Sequence, residues 1–251
     1  MHHELQVVAD PDAVAGTAAA FVARLAQACV QAHGRFTFAV SGGHTPWAMF
    51  ARLAHEHVPW EHVAVFQVDE RVAPDGDPDR NLTHLRESLG AAPAEVIAMP
   101  VNDADLDVAA AAYGRSLPGR FDLVHLGLGQ DGQHTASLVP RDPVLEVSDR
   151  LVALTAPYMG HQRMTLTYPA LARAQQVLWL ITERTSANRS RGSLRETGRF
   201  PPAGSRRRRR SFLRTRRRPT RALRAPVPSR PHDHDARPLC RAGPVRGIRW
   251  L

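Results

Sequence analysis

Lysine is absent from the 251 residues, so all 33 basic side chains are arginines. Cysteine is nearly absent too. Cys29 and Cys240 stand alone, too few and too far apart for a disulfide framework or a paired-cysteine metal motif. Cys29 falls on an apolar helix face, where a buried thiol is expected. No uninterrupted apolar run reaches the ~18 residues that a membrane span needs, and no basic-then-apolar leader opens the chain. The expectation is a cytoplasmic protein with no membrane partner. At 43% hydrophobic and 23% charged, the composition also excludes a fibrous or wholly disordered chain.

Acidic residues are scarce in only one part. Residues 1–182 carry 12 arginines and 20 acids, a net of −8, whereas residues 183–251 carry 21 arginines and 4 acids, a net of +17. An acidic body precedes a basic tail.

The body alternates between two periodicities. Asp10-Pro11 is a cap and first-turn pair, and Val14, Ala18, Phe21, Val22, Leu25 and Cys29 recur at helical spacing, which predicts a helix over 11–32. The run RFTFAV (35–40) reads as a strand, followed by a helix from Pro46. HVAVFQV (62–68) is the next strand, then a Pro/Asp/Gly-rich loop, a helix near 81–89, a strand near 95–99 and a helix near 104–116. FDLVHL (121–126), 151–156 and VLWLIT (177–182) complete the strands, with a helix near 168–175. This alternation predicts an α/β fold with a mostly parallel open sheet and helices on both faces. Ligands of such sheets bind beyond the carboxyl ends of the strands.

Three polar loops fall at those ends. Ser41-Gly42-Gly43-His44-Thr45-Pro46 opens a helix with glycines and hydroxyls, which suits a phosphate cradle or an ordinary tight turn. Asp69-Glu70-Arg71 is either a structural ion pair or a site where Arg71 holds an anion with its planar fork. The stretch 127–138 places Asp131 and His134 on a glycine-rich loop, the one able to orient the other as a base. His2, His3, His33, His55 and His57 read as solvated, and His125, inside a strand, as satisfied core.

The stretches SGGHTP (41–46), VDERVAP (68–74) with Asn81 downstream, GLGQDGQHTASLVP (127–140) and RMTLTYPAL (163–171) resemble, in this order, the 6-phosphogluconolactonases of the sugar-phosphate isomerase-like fold. The resemblance spans roughly residues 5–182. It implies hydrolysis of 6-phospho-D-glucono-1,5-lactone to 6-phosphogluconate in the oxidative pentose phosphate pathway. It further implies His134 as general base with Asp131 orienting it and Asp69 as a secondary acid. Ser41, Gly42, Gly43 and Thr45 would line the substrate loop, with Arg71 and Arg163 taking the phosphate or the oxyanion. No metal and no organic cofactor is implied, and the partner is a small sugar phosphate. The related glucosamine-6-phosphate deaminases differ in the third loop, where HTASL favours the lactonase. An isomerase or deaminase acting through Asp69, and a non-catalytic sugar-phosphate sensor, are the alternatives.

The chain departs from the family twice. Family members read Asp-Gly-His-Thr, whereas here Gln133 intervenes between Gly132 and His134. After Thr182 the family's further strands and helices give way to an arginine- and proline-rich segment, 183–251, with five consecutive arginines at 206–210. One reading is an out-of-frame translation of GC-rich coding sequence, leaving the α/β domain of 1–182 without its C-terminal part. The other is a disordered basic arm that binds nucleic acid. Either way, the strand 177–182 is expected to present a bare apolar edge, with low solubility or low activity as the consequence. Because the segment starts in the middle of a domain, resequencing the coding region is expected to reveal a shifted frame. A confirmed frame would leave the nucleic-acid arm, with salt-dependent binding that disappears on removing 190–251.

Overall fold

The computed structural model describes residues 2–128, 135–182 and 246–250, with residues 2–4 and 246–250 described through their backbone alone. The chain divides into two compact units, residues 1–184 with 237–251, and residues 185–236. The second unit lies outside the described residues, as does nearly all of the tail singled out in the sequence.

Strand β1 (His2–Gln6) leads into helix α1 (Pro11–His33). Asp10 caps α1 by accepting the Ala13 N–H at 2.8 Å, and the helix stops at Gly34, whose φ of 81° is a left-handed conformation that costs glycine little. Nine α1 residues are buried, Val14, Val22, Leu25 and Cys29 among them. Burying each larger aliphatic side chain contributes ~1.5–3 kcal/mol. By length and composition this helix is apolar enough to cross a membrane, which the count of uninterrupted apolar residues had missed. Half of that stretch is packed inside the protein.

The following elements are β2 (Phe36–Val40), α2 (His44–Leu53), β3 (Val63–Gln67), β4 (Asp69–Arg71), α3 (Asn81–Leu89), β5 (Glu95–Ile97), α4 (Leu106–Ser116) and β6 (Phe121–Gly127). Then come β7 (Val152–Leu154), β8 (Arg163–Leu166), α5 (Tyr168–Leu171), β9 (Ala174–Leu180) and β10 (Arg246–Trp250). Seven strands form one sheet in the order β1-β10-β9-β6-β2-β3-β5, every pairing parallel. Strands β2 and β3 are buried throughout, as expected of central strands covered on both faces. Helices α1, α2 and α3 pack on one face and α4 on the other.

Between β2 and β6 the strand order reverses, since the chain runs from β2 outward to β3 and β5, then returns to β6 on the other side. Such a switch point opens a crevice at the carboxyl ends of the two strands.

Three expectations need correction. Residues 151–156 do not join the parallel sheet: β7 pairs with β8 and β8 with β4 in a small antiparallel sheet. Strands of three and four residues are too short to carry a periodic signal. The helix near 168–175 is only the single turn α5, because β9 starts at Ala174 rather than 177. Finally, the edge of β9 is covered. β10, from the basic tail, lies between β9 and β1, with Arg246 opposite Gln176 and Trp250 opposite Leu180. The bare edge of β9 offers a row of backbone donors and acceptors to any extended segment, because ladder bonds form irrespective of side chains.

The short β4 is anchored by Glu70, which is fully buried. Its carboxylate accepts the backbone N–H groups of Arg71, Asn81 and Leu82, each at 2.8 Å, and the Gln67 amide at 2.8 Å. Two of those amides are the first turn of α3, so Glu70 supplies that helix with the anion its N-terminus favours. Buried Arg80 stands 3.2 Å from Glu70 through Nε, an ion pair without hydrogen-bond alignment, while its Nη1 donates to the Ala73 carbonyl at 2.9 Å. Replacing Glu70 with Ala strips these donors and leaves the Arg80 charge buried. The expected cost is about 3–5 kcal/mol in urea denaturation, and a loss below 1 kcal/mol would refute this anchoring role.

Candidate active site

At the end of β2 the chain turns through Ser41-Gly42-Gly43 into α2. Both glycines are required. A Cβ on Gly42 would collide with the Asn81 side-chain amide, and Gly43 adopts φ 130°, which L side chains rarely reach. Gly43 caps α2 with no side-chain hydrogen bond, so the first amides of α2 are not covered by a cap. Thr45, in that first turn, pairs its hydroxyl with that of Thr182 at 3.0 Å.

Asp69 lies at the junction of the loops. It is buried and accepts two hydroxyls, Ser41 Oγ at 3.3 Å on Oδ1 and Ser137 Oγ at 2.6 Å on Oδ2. Ser41 follows β2, Asp69 opens β4, and Ser137 lies on the loop after β6, so one carboxylate gathers the three sequence motifs. Ala136, beside Ser137, has a left-handed φ of 51°, which costs a non-glycine residue ~1 kcal/mol. The turn is closed by Leu138 N–H donating to the Thr135 carbonyl at 3.0 Å. Backbone held in such a conformation is the kind of local strain that clusters at ligand sites.

The two arginines meet across a strand pair. Arg71 of β4 is directly opposite Arg163 of β8. Arg71 Nη1 donates to Asn81 Oδ1, and Asn81 Nδ2 donates to the Asp69 carbonyl at 2.9 Å. Arg163 is 7% exposed, and its guanidinium lies 5.2 Å from the centre of the Tyr158 ring. Burial lowers the Arg163 pKa from its ordinary value, the neighbouring Arg71 charge lowers it further, and Asp69 and Tyr158 pull the other way. A desolvated guanidinium facing a like charge is stabilised by an anion placed between the two.

His125 is fully buried in β6. Its Nδ1 accepts the Ser41 backbone N–H at 3.3 Å, across the switch point. Burial pushes its pKa down to about 3, so at neutral pH the ring is uncharged. It was expected to be satisfied core, yet Nε2 has no hydrogen-bond partner among the described residues. Asp131 and His134 lie outside the described residues.

Of the residues expected here, Ser41, Asp69, Arg71 and Arg163 are brought together, with Gly42 and Gly43 shaping the turn. Thr45 pairs with the Thr182 hydroxyl and makes no hydrogen bond to this cluster among the described residues. Sequence reasoning assigned no role to Ser137 or Asn81 and gave Glu70 only a place in a structural ion pair, which it makes with Arg80. Ser137 and Asn81 stood inside the quoted motifs, but a serine or an asparagine in a loop carries no signal of its partner. A cavity of about 270 Å³ between α4 and β7, lined in part by Ala110, Gly114, Arg150 and Leu151, contains none of these residues. Among the described residues, two hydroxyls gathered by one carboxylate thus lie beside two guanidinium groups.

Comparison with known proteins gives the same direction. The family described as "Glucosamine-6-phosphate isomerases/6-phosphogluconolactonase" matches residues 9–211, which extends past Thr182 into the arginine-rich segment. The "GDH/6PGL endoplasmic bifunctional protein" of Oryctolagus cuniculus is 38% identical over 192 residues, which is 70% of this chain. The chain spans only 24% of that relative's length. A "6-phosphogluconolactonase" of Nostoc sp. is 34% identical over 195 residues, covering 72% of this chain and 80% of its own. Among solved structures, the 6-phosphogluconolactonase of Shewanella baltica superposes with a TM-score of 0.65 at 28% identity, covering 72% of this chain and 82% of that one. The chain belongs to the glucosamine-6-phosphate isomerase/6-phosphogluconolactonase family.

Proposed function

We propose that this chain hydrolyses 6-phospho-D-glucono-1,5-lactone to 6-phosphogluconate in the cytoplasm, as a step of the oxidative pentose phosphate pathway. The observation that carries the reading is Asp69, whose two oxygens tie the Ser41 turn to the Ser137 turn beside Arg71 and Arg163. That arrangement suits a substrate with a phosphate at one end and an ester that develops negative charge at the other. The names of the relatives point to the same reaction.

In the proposed mechanism His134, three residues before Ser137, takes a proton from water as its oxygen attacks the lactone carbonyl carbon. Asp131 orients the imidazole. The tetrahedral oxyanion collapses, the bond from C1 to the ring oxygen breaks, and the departing oxygen receives the proton from His134. The products are a carboxylic acid, which ionises, and a free hydroxyl. Arg71 and Arg163 supply positive charge for the phosphate and the oxyanion in a partly water-excluded setting, where such charge is most effective. The uncapped first turn of α2 adds backbone donors. An isomerase or deaminase acting through Asp69 is less well supported, because both of its oxygens already accept hydroxyl protons.

The His134→Ala variant is expected to lose about 10²–10⁴-fold in kcat for the lactone, with its circular dichroism unchanged. A rate near that of the parent would sink the assignment of the base. Gln133 sets a second expectation. A misplacement near 1 Å costs roughly 10²-fold, so deleting Gln133, which restores the family spacing, is expected to raise kcat/KM by up to about that factor. An unchanged or lower rate would mean that the loop already accommodates the extra residue.

A further inference from the structure

At the opposite end of the sheet from the Ser41 turn, three side chains form a second polar cluster. Cys29 and His33 sit four residues apart in the last turns of α1, so they share one helix face. Asp122, the second residue of β6, meets them from the sheet. One ligand atom from each lies within 4.8 Å of the other two. His33 Nε2 and Asp122 Oδ1 are 3.2 Å apart.

We infer that Cys29, His33 and Asp122 form a binding site for a divalent transition-metal ion, with Zn²⁺ the favoured occupant. Two ligands about 2.0–2.1 Å from a tetrahedral zinc stand about 3.3–3.4 Å from each other, which is close to the observed separation of His33 and Asp122. Binding would draw the Cys29 sulfur, which lies within 4.8 Å of the other two ligand atoms, onto the same centre. A thiolate, a neutral imidazole and a carboxylate match the borderline-soft character of zinc, and their net charge of −2 neutralises the ion.

Supporting contacts are already in place. Thr37 donates both its backbone N–H and its hydroxyl to Asp122 Oδ2, each at 2.8 Å. Oδ1 faces His33 and also accepts the Gln175 amide at 3.5 Å. Fixing one carboxylate oxygen so that the other points at the metal is the usual work of such outer contacts. The negative end of the α1 dipole also favours a cation there. His33, 40% exposed in its side chain, gives the ion access from solvent, while Cys29 and Asp122 are buried. Water completes the fourth position. The site joins the end of α1 to the starts of β2 and β6, remote from the lactone chemistry, so its role is to brace the fold.

The test titrates Zn²⁺ into the full-length chain after chelator treatment, against a competing chromophoric chelator, and repeats the titration with Co²⁺. One equivalent of metal is expected, together with a thiolate-to-cobalt charge-transfer band in the near ultraviolet. Cys29→Ala is expected to abolish that band. His33→Gln, at an exposed helix end that tolerates change, should weaken binding about tenfold or more and remove the Zn²⁺-induced rise in Tm. Cys240→Ala should alter nothing. The proposal is overturned if His33→Gln binds like the parent, if no charge-transfer band forms, or if the band follows Cys240 instead of Cys29. None of these readouts involves lactone turnover, so the outcome is independent of the proposed activity.

Discussion

Side chains alternate along a strand, and in the three residues of β4 that alternation separates two tasks. Asp69 and Arg71 share one face and Glu70 takes the other. On the first face Asp69 binds Ser41 and Ser137 while Arg71 meets Asn81 and lies opposite Arg163. On the second, Glu70 holds the first amides of α3 and neutralises Arg80. A shift of one residue in the β4–β8 register would exchange the faces, burying Arg71 among the α3 amides and turning Glu70 toward Arg163. Val68 fixes the register from both sides, since its N–H donates to the Val40 carbonyl of the main sheet and its carbonyl accepts the Leu166 N–H of the small one, both at 2.8 Å. The cluster therefore depends on this junction between sheets more than on any single loop.

Much of this was legible in the sequence where periodicity was long or chemistry local. The helix read over 11–32 carries about six turns of helical spacing behind the Asp10-Pro11 cap, and the apolar runs that form β2, β3 and β6 read as strands. The glycines of the first loop read as a phosphate cradle or a tight turn, and the structure adds why glycine is needed there, φ 130° at Gly43 and the approach of Asn81 to Gly42. The antiparallel sheet was not legible, since strands of three or four residues hold less than two full periods and their pairing is set by partners distant in sequence. The bonds from Ser137 to Asp69 and from His33 to Asp122 span 68 and 89 positions respectively, and no local pattern announces contacts of that range. His33, read as solvated, is indeed exposed, but its approach to Asp122 was not legible for this reason.

The strand β6 links the two polar clusters. Near its carboxyl end, His125 accepts the Ser41 N–H, and near its start, Asp122 receives Thr37 of β2. Both bonds cross the same β2–β6 pair, whose ladder register is only two residues long, Phe38 with Leu123 and Ala39 with Val124. Side chains thus clamp the two strands above and below a short backbone ladder, at the place where the switch-point crevice needs them closest. Buried polar groups that are paired in this manner specify a unique alignment as well as adding stability.

Under the proposed function a body of net charge −8 receives an anion, and local electrostatics decides how. At physiological ionic strength the Debye length is ~8 Å, so acids elsewhere on the surface are largely screened from a ligand at the crevice and the nearest charges dominate. Arg80 contributes little there, because Glu70 and Asp75 lie within 3.2 Å of it. Arg71 and Arg163 have no ion-pair partner among the described residues. Asp69, the acid that acts on the Arg163 charge among the described residues, is committed to two hydroxyls. The direction of the Arg163 shift records the result, a guanidinium whose charge is opposed by burial and by Arg71 more than Asp69 relieves it. Excess positive charge is thereby concentrated at one end of β4 and β8, the end at which the proposed function seats the substrate phosphate.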